Sequence, residues 1–150
     1  MKNLKKTSLK IKTKKLIVRP MQMRDDRAWM AAHCAMLPTR LAWEIPRLPV
    51  KKINFKEYAK ILKLHKEEIA SQKALTLGIF HHEIETLLGF LYLKNISSDE
   101  SSAELDFTIF NIYLGKGFAK EVINAGIKLA KNLGLKKVEI VTKPESRLNL

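Results

Sequence analysis

The sequence predicts a mixed α/β domain, and three observations predict it. Apolar residues recur at helical spacing in three separate stretches, short β-rich segments lie between them, and the 150 residues are 46% apolar with only 6 glycines and 5 prolines. A chain of that size closes one hydrophobic core rather than two. The composition also excludes disordered, collagen-like and low-complexity architectures.

Before the first acid, Asp25, the chain carries Lys2, Lys5, Lys6, Lys10, Lys12, Lys14, Lys15, Arg19 and Arg24, which hold most of the net charge of +13. Residues 1–15 read as a basic arm that leads into the domain. Such an arm suits the phosphates of RNA or of a ribosome surface. It lacks aromatics on which bases could stack, so a solvated tail is the plainer reading.

Residues 16–19 form a short strand stopped by Pro20, which has no N–H for a ladder. Asp25 or Asp26 caps the helix that follows, on which Trp29, Ala32, His33 and Met36 share a face until Pro38 closes it. The stretch 37–53 holds Pro38, Pro46 and Pro49 and is a loop. Long apolar loops inside compact domains serve binding, which makes Trp43 and Ile45, with Leu48, candidates to line a substrate pocket. Asn54 and Glu57 resemble a capping box for a second helix over 55–71, with Phe55, Tyr58, Leu62, His65 and Ile69 on its apolar stripe. Residues 74–81 and 86–94 read as a hairpin joined through 82–85, and 95–101 as a polar turn. Residues 104–109 then alternate strictly, placing Leu105, Phe107 and Ile109 on one face and Glu104, Asp106 and Thr108 on the other.

After that strand the chain reads Tyr113-Leu114-Gly115-Lys116-Gly117-Phe118-Ala119 and enters a third helix, with Phe118, Val122, Ile123, Gly126, Ala130 and Leu133 as its stripe and Gly134 as its stop. A strand, a glycine turn and a helix start gather unpaired backbone N–H groups around one point. That point attracts an anion such as a pyrophosphate, and Lys116 and Lys120 add charge. The Gly-Lys-Ser/Thr of a Walker loop is absent, and Lys120 stands where a dinucleotide fingerprint needs its third glycine. Cys34 is the single cysteine, which leaves no internal disulfide or thiol-based zinc site, and the four histidines lack ligand spacing, so no metal is expected. No apolar run approaches the ~18 residues that span a bilayer and no secretory leader is evident, so a cytoplasmic location without a membrane partner is expected.

The run from Ala103 to Glu121, AELDFTIFNIYLGKGFAKE, resembles the GNAT family of acetyl-CoA-dependent N-acetyltransferases, in particular the RimJ/RimL branch that acetylates N-terminal amines of ribosomal proteins. Supporting pieces occur in the family's order: Lys15 to Pro20, Pro46 to Glu57, Leu87 to Leu91, and Gly134 to Glu145. The resemblance implies a GNAT-like fold over 9–150, a mixed and mostly antiparallel sheet with helices on both faces, in which two strands splay to admit the pantetheine arm. It implies acetyl-CoA as cosubstrate, held by Leu114, Gly115, Lys116, Gly117, Phe118 and Ala119 at the pyrophosphate and by Phe107, Thr108 and Ile109 along the strand. A backbone N–H near Phe107 or Thr108 would polarise the thioester carbonyl. Glu104 is the candidate base and Asp106 its reserve. Ser146 stands where the family's coenzyme-binding Asn follows Pro-Glu, and Leu114 where the wider family has Gln or Arg.

The resemblance also implies a further helix and two strands past Leu150, with the group that protonates the leaving thiolate. The domain is therefore expected to be incomplete at its C-terminus, with an uncovered edge at Val138 and Ile140 through which a homodimer would form. The function expected is acetyl transfer to a primary amine, such as a protein N-terminus. The alternatives are a silent remnant that only binds coenzyme A and a basic adaptor that docks on RNA or the ribosome.

Overall fold

The computed structural model describes residues 1–141, so Ser146 lies outside the described residues. Six strands form one sheet in chain order: β1 (Ile11–Lys12), β2 (Leu16–Arg19), β3 (Leu75–His81), β4 (Leu87–Ser97), β5 (Ser102–Ile109) and β6 (Lys137–Ile140). The first five pair antiparallel, and β6 joins β5 in parallel after a helical crossover. The helices are α1 (Asp26–Cys34), α2 (Phe55–Ser71) and α3 (Ala119–Asn132).

Alternation along the strands divides the core into two layers. Leu75, Leu77, Ile79, Leu91, Leu93 and Leu105 turn to the face covered by α3, where Val122, Ala125, Leu129 and Leu133 meet them. Phe80, Leu87 and Phe90 turn the other way, onto Trp29 of α1 and Tyr58 and Leu62 of α2. The mixed sheet with helices on both faces is thus present as expected. The expected apolar faces of α1 and α2 are buried at Trp29, Ala32, His33, Met36, Tyr58 and Leu62, whereas Phe55, at the first position of α2, is 49% exposed.

Capping follows the sequence in α3 and, for the Asn54 half of the expected box, in α2, where Glu57 pairs with Lys60 and Lys52 instead, but not in α1. Asn54 Oδ1 accepts the Glu57 N–H at 3.0 Å. The Gly134 N–H donates to Lys131 O and the Leu135 N–H to Ala130 O, both at 3.0 Å, which is a Schellman end with Gly134 at positive φ. Asp25 occupies the position before α1, but its carboxylate is spent on Arg19, with both oxygens at 2.8 Å, and on the Gln22 N–H at 2.7 Å. An Arg19 guanidinium buried over the Phe80 ring needs that counterion, and the need outranks capping.

The basic arm is packed against the body. Leu4 is 1% exposed, Leu9 and Ile11 are buried beside it, and the Lys2 N–H donates to Leu133 O at 2.8 Å. The lysines of the arm all stay at the surface. The two-residue strand β1, which no periodicity announced, forms because Ile11 pairs with Val18 and joins the α3 side of the core.

Candidate active site

The backbone of β5 is fixed by its neighbour β4. Ile79 pairs with Gly89 and Phe80 with Leu87, so Leu88 is an extra residue that bulges β4. A Cβ on Gly89 would sit 2.0 Å from the Thr108 carbonyl oxygen, so only glycine allows this approach of β4 to β5.

On its other edge β5 is paired, among the described residues, for half its length. The ladder with β6 ends at Leu105 and Ile140, closed by the Val141 N–H donating to Leu105 O at 2.9 Å. The Phe110 N–H donates to Leu88 O, so even-numbered residues at this end of β5 turn their amides to β4 and odd-numbered ones to the β6 side. Phe107 and Ile109 therefore present their backbone to a gap beyond the end of β6. The Thr108 N–H points into the β4 ladder. Of the two N–H groups expected to polarise a thioester, Phe107's lies on the correct edge, where it donates to Asp106 Oδ1 at 2.8 Å.

The gap runs into the glycine turn. From Leu114 to Phe118 the sign of φ alternates, with Gly115 at 77° and Gly117 at 83°, a conformation that glycine adopts without strain. A Cβ on either glycine would meet nothing within 4 Å among the described residues, so these leave space over the turn. Phe118 precedes α3 without a side-chain cap, which leaves first-turn amides to face the same space. The helix is anchored by Glu121, which accepts from Thr13 Oγ1 at 2.7 Å and from the Lys15 N–H at 2.8 Å. Lys116 and Lys120 lie at the surface beside the turn.

Residues 106–109 and 114–119 line one continuous cleft together with Trp43, Tyr113 and Val141. It unites the coenzyme-binding residues expected within the described chain, and it takes Asp106 rather than Glu104. Asp106 is 6% exposed and pairs with Lys94 Nζ at 3.2 Å. Thr108 Oγ1 lies 3.2 Å from the Tyr92 hydroxyl on the same face of the sheet. Glu104 opens onto a separate hollow with Asn95, Lys137 and Glu139, where it accepts from Asn95 Nδ2 at 2.9 Å. Of the loop residues, Trp43 reaches the cleft, and Ile45 lines a different cavity under α1 and α2. Sequence reasoning passed over Lys94, Tyr92 and Val141, whose roles follow from strand register.

This cleft, between two strands that part and a glycine turn into a helix, has counterparts among known proteins. Residues 15–147 match the sequence profile of the acetyltransferase (GNAT) domain. The chain belongs to the GNAT acetyltransferase family. Solved structures share the fold of this GNAT domain at low identity. A candidate ribosomal-protein-serine acetyltransferase from Vibrio cholerae superposes with a TM-score of 0.73 at 19% identity, over 93% of this chain and 77% of that one. Mycobacterium smegmatis RimJ in complex with CoA-disulfide gives 0.70 at 20% identity, over 90% and 67%. A dodecameric spermidine N-acetyltransferase from Vibrio cholerae gives 0.61 at 20% identity, over 91% and 74%. No curated protein matches the sequence at a significant level. No helix among the described residues is long and apolar enough to cross a membrane.

Proposed function

We propose that this GNAT domain transfers an acetyl group from acetyl-CoA to a primary amine, with the α-amine of a protein N-terminus as acceptor. The observation that carries the reading is the convergence, among the described residues, of a glycine turn, a strand edge beyond the end of the β6 ladder and a buried carboxylate in one cleft. The residues fit the coenzyme. The alternating turn at 114–118 and the first amides of α3 offer hydrogen bonds to a pyrophosphate, with Lys116 and Lys120 as counter-charge. Phe107 and Ile109 offer backbone groups to an extended pantetheine arm, as a strand would.

Acetyl-CoA brings an activated acetyl thioester, and the chain handles the proton. A primary amine is an ammonium ion near neutral pH and must lose a proton before it attacks. Asp106 accepts that proton, directly or through one water. It replaces Glu104 as the candidate base because Glu104 lies outside the cleft. The resemblance of the run 103–121 to the RimJ/RimL branch supports an N-terminal amine as acceptor. The spermidine enzymes share the fold too, so acceptor class is a property of the side of the cleft away from the glycine turn.

Calorimetry with coenzyme A on the wild-type chain and on Gly117→Val tests the assignment. The φ of 83° resists a branched residue, and its side chain would occupy the space over the turn, so affinity should fall at least about tenfold. Equal affinity in a folded Gly117→Val protein would remove the pyrophosphate from this turn, and absence of thiol release from acetyl-CoA with every amine would reduce the function to coenzyme binding.

A further inference from the structure

Across the sheet from α3 lies a cavity of about 210 Å³ that acetyl transfer leaves unassigned. Trp29 and His33 of α1, Ile61 and His65 of α2, and Phe90 and Tyr92 of β4 are its walls, and the loop between the two helices adds Leu48. It adjoins the reactive end of the cleft. Tyr92 is the register partner of Asp106, and its hydroxyl meets Thr108, which lines the cleft. An amine held at Asp106 therefore has this cavity beside it.

The lining is uncharged. No Asp or Glu belongs to it among the described residues. The Thr76 hydroxyl is spent on Glu68 at 2.8 Å and the Tyr92 hydroxyl on Thr108. His33 and His65 each bury an Nδ1 that has no hydrogen-bond partner among the described residues. Burial pushes both imidazoles down in pKa, His33 to about 4, so both are neutral at pH 7. Aromatic contacts dominate: His33 lies 4.6 Å from the Trp29 ring and 5.1 Å from Phe110, and His65 is edge-on to Phe90. A cationic group placed here finds no carboxylate among the described lining residues, and the Glu68 carboxylate behind Thr76 is engaged by that hydroxyl, inside a chain that carries +13. An uncharged ring finds rings to pack against.

We propose that this cavity receives the group attached next to the acceptor's amine and selects acceptors in which that group is uncharged and of aromatic size, against polyamines and lysine-like side chains. The inference rests on the acetyl-transfer reading and gives its acceptor a chemical class.

The test titrates phenylalanine amide, tyrosine amide, alanine amide, lysine amide and spermidine into the full chain saturated with coenzyme A, with acetyl-CoA turnover measured in parallel. The aromatic amides should bind about tenfold more tightly than alanine amide, with lysine amide and spermidine weakest. Ile61→Trp, which places an indole in the cavity, should abolish the aromatic preference and leave coenzyme A affinity unchanged. Leu48→Glu, in the half-buried loop, should shift preference toward lysine amide and spermidine. Spermidine or lysine amide binding as tightly as phenylalanine amide would overturn the proposal, as would an aromatic preference that survives Ile61→Trp. Failure of coenzyme A to bind would sink acetyl transfer instead, and the same titration without coenzyme would still read the cavity's preference.

Discussion

At Asp106 a buried carboxylate is held from two sides, by the Lys94 ammonium at 3.2 Å and by the Phe107 N–H at 2.8 Å, so one oxygen faces each partner. Asp106→Asn keeps the shape and removes the proton acceptor. Steady-state turnover should fall about 10²- to 10⁴-fold with coenzyme A affinity unchanged, and the deficit should shrink at high pH, where the amine is already neutral. Glu104→Gln should stay near wild-type turnover, and the opposite ranking in the same assay would return the role to Glu104. His33 gives a pH prediction of a different kind. The folded chain keeps it neutral down to pH about 4 because it is desolvated, while the unfolded chain protonates it at about 6.5. Protons therefore favour the unfolded state in that window. The stability from burying a neutral imidazole is whole above pH 6.5 and falls as pH drops toward 4, by roughly 3 kcal/mol. Urea midpoints at pH 7 and 4.5 should show a smaller drop in His33→Leu than in the wild-type chain, and equal drops would mean that His33 protonates in the folded state.

Among the elements, the β4–β5 pair decides the geometry of the cleft, because every cleft-lining position on β5 is set by its register against β4. Gly89 is the tightest point of that pairing. Its substitution by alanine would place a methyl group against the backbone of Thr108 and Ile109, and backbone in mid-sheet has little room to retreat. Gly89→Ala should destabilise the fold by about 3 kcal/mol and misplace Thr108, with loss of coenzyme A affinity. A denaturation midpoint within error of wild type would show that the strands separate more freely than their pairing implies. The Leu88 bulge belongs to the same device, since it shifts the alternation by one residue, so that Leu87 joins Phe90 in one core layer and Leu88 joins Leu91 in the other while Gly89 keeps its approach to β5.

Over the molecular surface, the excess positive charge is displayed on a fixed frame. Leu4, Leu9 and Ile11 are core residues, so the lysines between them are held in place at the surface by the packed backbone. Deleting the first fifteen residues would unpack the core along with removing the charge, which makes truncation a poor probe. Replacing Lys2, Lys5, Lys6 and Lys10 by glutamine keeps the anchors. If the arm contacts RNA phosphates, as its charge suggests, filter binding to a structured RNA should weaken steeply with salt, and the four-lysine variant should lower the slope of log affinity against log salt by a few units. A slope unaffected by the four substitutions would move the contact elsewhere on the surface.

Local patterns in the chain were enough to specify the three helices, the longer strands and the glycine turn, though not β1. Helical stripes, the Asn54 cap, the Gly134 stop and the alternation at 104–109 are of this kind, because side-chain periodicity and backbone φ are set within a few residues. The glycine turn at 114–119, proposed to hold the coenzyme, was legible for the same reason: two glycines before a helix leave first-turn amides without side-chain caps. Choosing between Glu104 and Asp106 was not local. Both share one face of β5, and only the length of the β6 ladder, ending at Leu105, puts one beside a neighbouring strand and the other at the opening. The docking of the arm likewise rests on contacts far apart in the chain, such as the Lys2 N–H on Leu133 O. Asp25 and Arg19 are only six residues apart, yet their pairing also needed the tertiary structure, because it is the packing over Phe80 that buries the guanidinium and claims the carboxylate. Register and burial are decided by partners brought in by the fold, and capping preference yields to them because an unpaired buried charge costs more than a missing cap.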